Sequence, residues 1–312
     1  MTFDEFYNEW VSESEDVVCH TSGSTGTPHL IHLPKQRMIE SAERTCRHFG
    51  INSSSHLHSC ISADYIGGKM MMVRSRVSGA SFSWEIPSNT PLKDFVGLPI
   101  DLVSVVPSQM LFLLDNPEIM ARAKHYLIGG AAIPSSLRKR IVDSGISAYE
   151  SYGMTETSSH IAIRKVEEGN EWFDTLPGIT ISLDDDSRLC IHIENWKSFY
   201  TNDIAQLKSS TSFRILGRAD NVINTGGKKV YPEEVEKLLS EYFTFPFYIS
   251  YRNDEKWGQR IILIAENPTL SDDEIISLCK LHLESFKCPK EVVRLSHFSY
   301  TPNGKIKRIP IK

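Results

Sequence analysis

The chain has 312 residues, 40% hydrophobic and 23% charged, ordinary globular material for one large domain and a small one rather than a disordered polymer. Its net charge of −5 offers no general basic face for nucleic acid or for an anionic membrane surface. The acidic start MTFDEFYNEWVSESED lacks the basic-then-apolar pattern of a leader, no apolar run reaches the ~18 residues of a membrane span, and six cysteines without C-x-x-C spacing read as reduced core residues, so a cytoplasmic protein is expected.

In chain order, Val17-Val18-Cys19 and Leu30-Ile31-His32-Leu33 are short apolar runs of strand type. Between them lies HTSGSTGTPHL, which composition alone would make a Ser/Gly linker. Its place between two strands favours an anion-binding concavity instead: Gly23 and Gly26 permit close backbone approach, and Thr21, Ser22, Ser24, Thr25 and Thr27 supply hydroxyl donors. The Walker pattern, which opens directly into a helix, is absent. Lys35 to Phe49 spaces Met38, Ala42, Cys46 and Phe49 as the buried face of a helix, with Arg44 and Arg47 turned away. His56-Leu57-His58-Ser59-Cys60 carries metal-ligand types without a second ligand cluster in sequence, so histidines packed on a strand near the site are the expectation. Read as a helix, 67–76 puts Gly67, Met70, Met71 and Arg74 on one face and Lys69 with Arg76 on another. Strand-like runs at 103–106, 126–128 and 189–193 interleave with helical stretches at 108–114 and 135–142, the alternation of a layered α/β domain. Asp184-Asp185-Asp186-Ser187 reads as a solvated hairpin turn rather than a metal site.

The last part reads as a second, compact module. Tyr231-Pro232-Glu233-Glu234 opens a helix, Ser271 and Glu274 form a capping-box pattern ahead of another, and FYISY with RIILIAE are strands between them. The expected organisation is a large domain at 1–216, a hinge at 217–221 and a small α+β domain at 222–312.

Five stretches then occur in a telling order: TSGSTGTP, SYGMTET (151–157), FYTND (199–203), GRADNVINTGGKKVYPEEVE (217–236) and TPNGKIKR (301–308). Together they resemble the motif set of the adenylate-forming superfamily of acyl-CoA synthetases, luciferases and peptide-synthetase adenylation domains. The resemblance implies that the 21–27 loop grips the β- and γ-phosphates of ATP and that Tyr152 and Gly153 lie beside the adenine. It implies that Thr155 bonds the α-phosphate and Glu156 holds Mg²⁺, one carboxylate being a sensible supply for an ion that keeps phosphate and water ligands. Asp203 would accept both ribose hydroxyls with help from Arg218, Asp220 would mark the hinge of a mobile small domain, and Lys305 would be the catalytic lysine. Gly226 and Gly227 would approach the pantetheine of coenzyme A, and a plain hairpin turn is compatible with that role.

Within the superfamily, SADYIGGKMMMVRS (62–75) and IGGAAIP (128–134) are most similar to the o-succinylbenzoate-CoA ligases of menaquinone biosynthesis. The small-molecule substrate is then an acid with two carboxylates. Arg74, beside soft thioethers, is the candidate partner for the second carboxylate, and Gly129, Gly130 and Ala131 would line the acyl pocket. An Arg74 that reaches solvent or pairs with an acid is the competing reading; His160 borders the acyl site or serves structure alone. Against the family pattern, His29 stands where a lysine is usual, Asn202 replaces a glycine and Asn224 a lysine. Histidine lacks lysine's permanent charge near neutrality. Relatives also carry a whole subdomain ahead of the first motif, so the resemblance leaves a face for repacking or for another subunit of a homo-oligomer to cover. The readings carried forward are an acid-thiol ligase for o-succinylbenzoate, a ligase for another aryl or medium-chain acid, and a non-catalytic relative that binds nucleotide or acyl-adenylate.

Overall fold

A computed structural model describes residues 1–20, 29–300 and 306–308. The chain divides into two compact units, Met1–Thr180 with His192–Phe199, and Ile181–Ile191 with Tyr200–Lys312.

The first unit begins with helix α1 (Phe3–Val11), whose Thr2 and Glu5 close a capping box that satisfies orphan amides at its start. Strands β1 (Asp16–His20) and β2 (Leu30–Pro34) pair antiparallel, His20 opposite Leu30, as the apolar runs predict. The loop between them, residues 21–28, lies outside the described residues. Helix α2 (Lys35–Phe49) follows, then β3 (His56–Ser59), α3 (Ile66–Ser78), β4 (Ser81–Trp84), β5 (Ile100–Val105), α4 (Pro107–Asp115), α5 (Pro117–Met120), β6 (Ala123–Ile128), α6 (Ser135–Ser144), β7 (Ala148–Met154), β8 (Ser159–Lys165) and β9 (Phe173–Thr175). The sheet runs β9-β8-β7-β6-β5-β3-β4, with β4, β3, β5, β6 and β7 parallel and β8 and β9 antiparallel at one end. One buried cluster lies among α1, α2 and α3, around Phe6, Met38, Met70 and Val73. Another lies under α4 and α6, around Val103, Val105, Met110, Leu137 and Ile141, which makes the unit layered α/β as expected.

Two details differ from the helical readings. Arg44 is not turned away: it is buried, donates from Nε to the Pro177 carbonyl at 3.1 Å and lies over the Trp196 ring, while Arg47 is exposed. On α3 the glycine that packing demands is Gly68, where a Cβ would sit 2.2 Å from the Ser62 carbonyl oxygen; at Gly67 the nearest atom is 3.6 Å away.

In the second unit, β10 (Ile179–Leu183) and β11 (Arg188–Ile193) run across the division and precede β12 (Phe199–Ser209) and β13 (Ser212–Arg218). The turn after β10 is the expected one: Asp184 accepts the amides of Asp186 and Arg188 through one carboxylate oxygen. Beyond them come β14 (Ile223–Thr225), β15 (Lys228–Val230), α7 (Pro232–Leu239), β16 (Phe247–Asp254), β17 (Gly258–Glu266), α8 (Asp272–His282) and β18 (Glu291–Leu295). The sheet order is β15-β14-β17-β16, and β18 pairs parallel with β17. Alternation along β17 explains why this module has two cores: Ile261, Leu263 and Ala265 face α7 and α8, while Ile262 and Ile264 meet Tyr248 and Phe298. By packing, the strands at 200–218 belong with this second unit rather than with the first. No helix among the described residues is long and apolar enough to cross a membrane, and all six cysteines are free and buried.

Candidate active site

The C-terminal ends of β6 and β7, neighbouring parallel strands, bring two of the sequence motifs side by side. Parallel α/β sheets place their ligands at this edge. Gly129 follows β6 so closely against β7 that a Cβ would stand 2.8 Å from Ser151 Oγ, and Ser151 Oγ donates to the Ile128 carbonyl. Gly130 turns the chain away with φ +85°. The loop is tied down by Glu150 on β7, a buried carboxylate that accepts the Ile133 amide at 3.2 Å, Arg164 Nε at 2.8 Å and Arg138 Nη2. Gly129, Gly130 and Ala131 are thus fixed relative to the strand that leads into Tyr152.

At Tyr152 and Gly153 the β7–β8 pairing slips by a bulge, a common device for re-aiming a strand beside a site. Gly153 is obligatory there, since a Cβ would lie 2.3 Å from the Ser159 carbonyl oxygen. Thr155, Glu156 and Thr157 then form one 3₁₀ turn, locked by Thr157 Oγ1, which accepts the Met154 amide and lies 2.8 Å from the Ser159 carbonyl oxygen. Glu156 is half-buried, and its carboxylate meets no cation among the described residues.

The chain leaves this turn through Ser158, Ser159 and His160, all buried. Arg74, delivered by α3 and 1% exposed, comes to the same place. Its Nη2 donates to Ser159 Oγ at 2.8 Å and lies 3.4 Å from His160 Nδ1, while Nη1 faces Met71 Sδ at 3.3 Å. Among the described residues no carboxylate pairs with Arg74, and its Nε has no acceptor. Burial lowers the guanidinium's pKa to about 10, so it stays charged at neutral pH. His160 Nε2 meets Thr45 Oγ1 at 3.1 Å, and Thr45 Oγ1 donates to the Ser41 carbonyl. A guanidinium only donates and that carbonyl only accepts, so the consistent tautomer carries its proton on Nε2 and presents a lone pair to Arg74. Lys69, by contrast, turns to α1, with Nζ 4.3 Å from the Phe6 ring centroid and 3.8 Å from Glu9 Oε2.

Ser159 and Thr45 escape sequence reasoning. Thr45 gives one local signal, a hydroxyl beside Ala42 and Cys46 on the buried face of α2, which also carries Ser41 and Arg44.

A second group lies in the second unit. Asp203 and Arg218 stand opposite each other on β12 and β13, with Arg218 Nη1 3.3 Å from Asp203 Oδ1 and Nη2 3.5 Å from Asp220 Oδ2. Asn202 Nδ2 also donates to Asp220, so the departure from the family's glycine becomes a bond to the expected hinge aspartate. Gly217 permits the close approach of Glu233 from α7. Gly226 and Gly227, at φ +56° and +78°, form the two-residue turn between β14 and β15, a conformation that side chains resist. Gly226 abuts Trp257 beside a cleft of about 320 Å³ whose lining includes Lys228, Arg260, Phe286 and Lys290. Lys305, like the 21–27 loop, lies outside the described residues. Its near neighbour Arg308 forms a two-pronged ion pair with Glu236 of α7, both contacts at 2.7 Å.

Comparison with known proteins fits this geometry. A family model for the AMP-binding enzymes matches residues 8–188. The chain is 23% identical to a curated 2-succinylbenzoate–CoA ligase of Listeria monocytogenes, over 99% of this chain and 72% of the relative, and 24% identical to one of Bacillus cytotoxicus, over 93% and 68%. Among solved structures, an acyl-CoA synthetase (AMP-forming)/AMP-acid ligase II-like protein from Dyadobacter fermentans aligns with TM-score 0.66 and 28% identity over 97% of this chain and 91% of the other. The o-succinylbenzoate coenzyme A synthetase of Bacillus subtilis, solved with ATP and magnesium ion, aligns with TM-score 0.79 at 21% identity over 94% and 69%, a likeness of fold. With a family match that spans more than half of its length, this chain belongs to the AMP-binding enzyme family.

Proposed function

We propose that the chain activates o-succinylbenzoate with ATP and passes the acyl group to coenzyme A. The observation that carries the choice of acid is Arg74, a buried, charged guanidinium held only by neutral partners and lined by methionine. Such a group invites a planar carboxylate, and o-succinylbenzoate retains one after the other has been activated. The names of the curated relatives agree with this acid.

In the first half-reaction a substrate carboxylate oxygen attacks the α-phosphorus and pyrophosphate leaves; in the second the thiol sulfur attacks the acyl carbon, loses its proton and displaces AMP. Negative charge grows on phosphate oxygens, so fixed donors and cations are the means of catalysis. In this reading Thr21 to Thr27 hold the β- and γ-phosphates, Tyr152 and Gly153 flank the adenine, and Thr155 donates to the α-phosphate. Asp203 takes the ribose hydroxyls with Arg218 beside it. Glu156, lacking a cation partner among the described residues, would hold magnesium, which supplies charge neutralisation at the phosphates. Lys305 bridges the carboxylate and the α-phosphate, and rotation about 217–221 then exchanges it for a thiol channel beside Gly226 and Gly227. The basic, aromatic cleft at Gly226 suits the phosphates and adenine of coenzyme A.

Pyrophosphate release with ATP, Mg²⁺, coenzyme A and a panel of carboxylic acids tests the proposal. Release is expected with o-succinylbenzoate. Release only with another aryl or medium-chain acid moves the acid assignment, and none with any acid while ATP still binds leaves the non-catalytic reading. Lys305→Ala should lose adenylation by roughly 10²- to 10³-fold yet still form thioester from supplied acyl-adenylate; equal loss in both steps would count against domain exchange.

A further inference from the structure

Apart from the ligase site, β3 and β4 assemble a group the proposed reaction does not use. A His58 ring nitrogen, Cys60 Sγ and a Glu85 carboxylate oxygen lie within 4.8 Å of one another. His58 is 1% exposed and Cys60 fully buried, on the face covered by α4 and α6; Glu85 is partly exposed.

The hydrogen bonds decide what this group presents. His56 Nδ1 faces the Leu98 carbonyl at 3.2 Å, and a carbonyl only accepts, so that nitrogen carries the proton. In the neutral ring His56 Nε2 is then an acceptor and takes the Ser83 hydroxyl proton at 2.7 Å. Ser83 Oγ has only lone pairs left for His58 Nδ1 at 2.8 Å, so His58 donates from Nδ1. Its Nε2 is thereby left with a lone pair. That atom is buried with no hydrogen-bond partner and stands 3.6 Å from Glu85 Oε2, itself an acceptor. Glu85 accepts the Leu92 amide at 3.1 Å and faces the Cys60 thiol, so the buried His58 lone pair is the group here without a donor, and a cation held by all three would meet it.

We propose that His58, Cys60 and Glu85 bind one zinc(II) ion, in a site separate from the nucleotide and acyl sites. The ligand types are those of zinc. The charges close: Zn²⁺ with one thiolate, one carboxylate and one neutral imidazole has no net charge, which suits a buried place. Neighbouring ligand atoms on tetrahedral zinc are roughly 3.3–3.6 Å apart given the usual bond lengths; His58 and Glu85 already stand at 3.6 Å, and the contacts to Cys60 would shorten by up to about 1 Å as the ion binds. Burial and the Glu85 carboxylate push the Cys60 thiol well above its ordinary pKa, so in the metal-free protein it keeps its proton. Metal binding releases that proton to solvent as the Zn–S bond forms. The Ser83 hydroxyl that fixes the His58 ring is the usual kind of outer support for a metal-bound histidine. The ion would clamp the segment after β4 onto β3.

The test uses the full chain, stripped with a chelator and titrated with cobalt(II) as the spectroscopic stand-in for zinc. One equivalent is expected to bind with a thiolate-to-cobalt charge-transfer band, to be displaced by zinc, and to release one proton. Cys60→Ser should abolish the band, His58→Gln and Glu85→Gln should weaken binding at least tenfold, and Cys190→Ser should change nothing. Zinc should raise the melting temperature of the parent chain, raise it less in His58→Gln and Glu85→Gln, and leave that of Cys60→Ser unchanged. Glu85→Gln, at a partly exposed position, keeps the test decisive even where Cys60→Ser fails to fold. No charge-transfer band, or one that survives Cys60→Ser, overturns the proposal in favour of a proton-bridged His58–Glu85 pair.

Discussion

Arg74 and Arg218 meet their surroundings in opposite ways. Arg74 is buried among Ser159, His160 and Met71, none of which brings a negative charge; Arg218, with its side chain 38% exposed, lies between the carboxylates of Asp203 and Asp220. Removing an ion from water costs several kcal/mol, and a fold with no use for the charge recovers that by pairing it. The second unit pairs its arginine at once. The first leaves the charge uncompensated, which is what the proposed reading requires of a seat for a substrate carboxylate. Arg218 already has carboxylate partners on both sides.

The sharpest way to break that contrast is Arg74→Met, which keeps much of the length and removes the charge. Truncating one member of a buried charge pair costs about 2–5 kcal/mol, so kcat/KM for o-succinylbenzoate should fall by roughly 10²-fold or more, while 4-oxo-4-phenylbutanoate, the analogue without the ring carboxylate, should be used as before. Stability should hold or rise, because an unpaired buried charge has gone. A steep drop in melting temperature with unaltered kinetics would make Arg74 a structural tie to Ser159 instead.

Asp203→Asn gives the smaller, opposite pattern. Hydrogen bonds to a charged group are worth about 1.5–3 kcal/mol, so the dissociation constant for ATP, read by calorimetry, should rise on the order of tenfold to a hundredfold. The pair with Arg218 is partly exposed, and its loss should change unfolding free energy by less than about 1 kcal/mol. Unchanged ATP binding would remove Asp203 from the nucleotide site.

The two regions also differ in how far the sequence exposes them. The strands around HTSGSTGTPHL, the α2 stripe, the helix starts at Pro232 and Ser271 and the turn at Gly226-Gly227 rest on local chemistry: period, caps and positive φ. Asp203 and Arg218 were legible because family motifs carry them. The group around Arg74 was legible only in part. Arg74 stands out by type, but its partners Ser159 and His160 are 85 and 86 positions away, and Thr45 is 115 positions from His160. No window of periodicity reaches across those separations. Arg44 fails for the same reason, since Trp196, whose ring covers it, comes from a distant segment.

The smallest effect, and the most specific to Arg74's neutral cage, is a pH dependence. Burial first, and Arg74 second, hold the His160 pKa well below the usual value, so the ring is neutral in the folded protein. The unfolded chain takes up a proton as pH falls past ~6.5 and the folded chain does not. This contribution to stability is therefore complete above the unfolded pKa and lost as pH falls below it, at up to about 1.4 kcal/mol per pH unit. Burial lowers the pKa of His48 and His125 as well, so acid weakens the parent chain at more than one position. His160→Gln isolates the share of one ring: its deficit in unfolding free energy, measured in urea, should shrink between pH 7 and pH 5. A deficit that stays constant over that range would mean the folded protein protonates His160 as readily as water does, and that the cage around Arg74 is not the neutral one that sets it apart from Arg218.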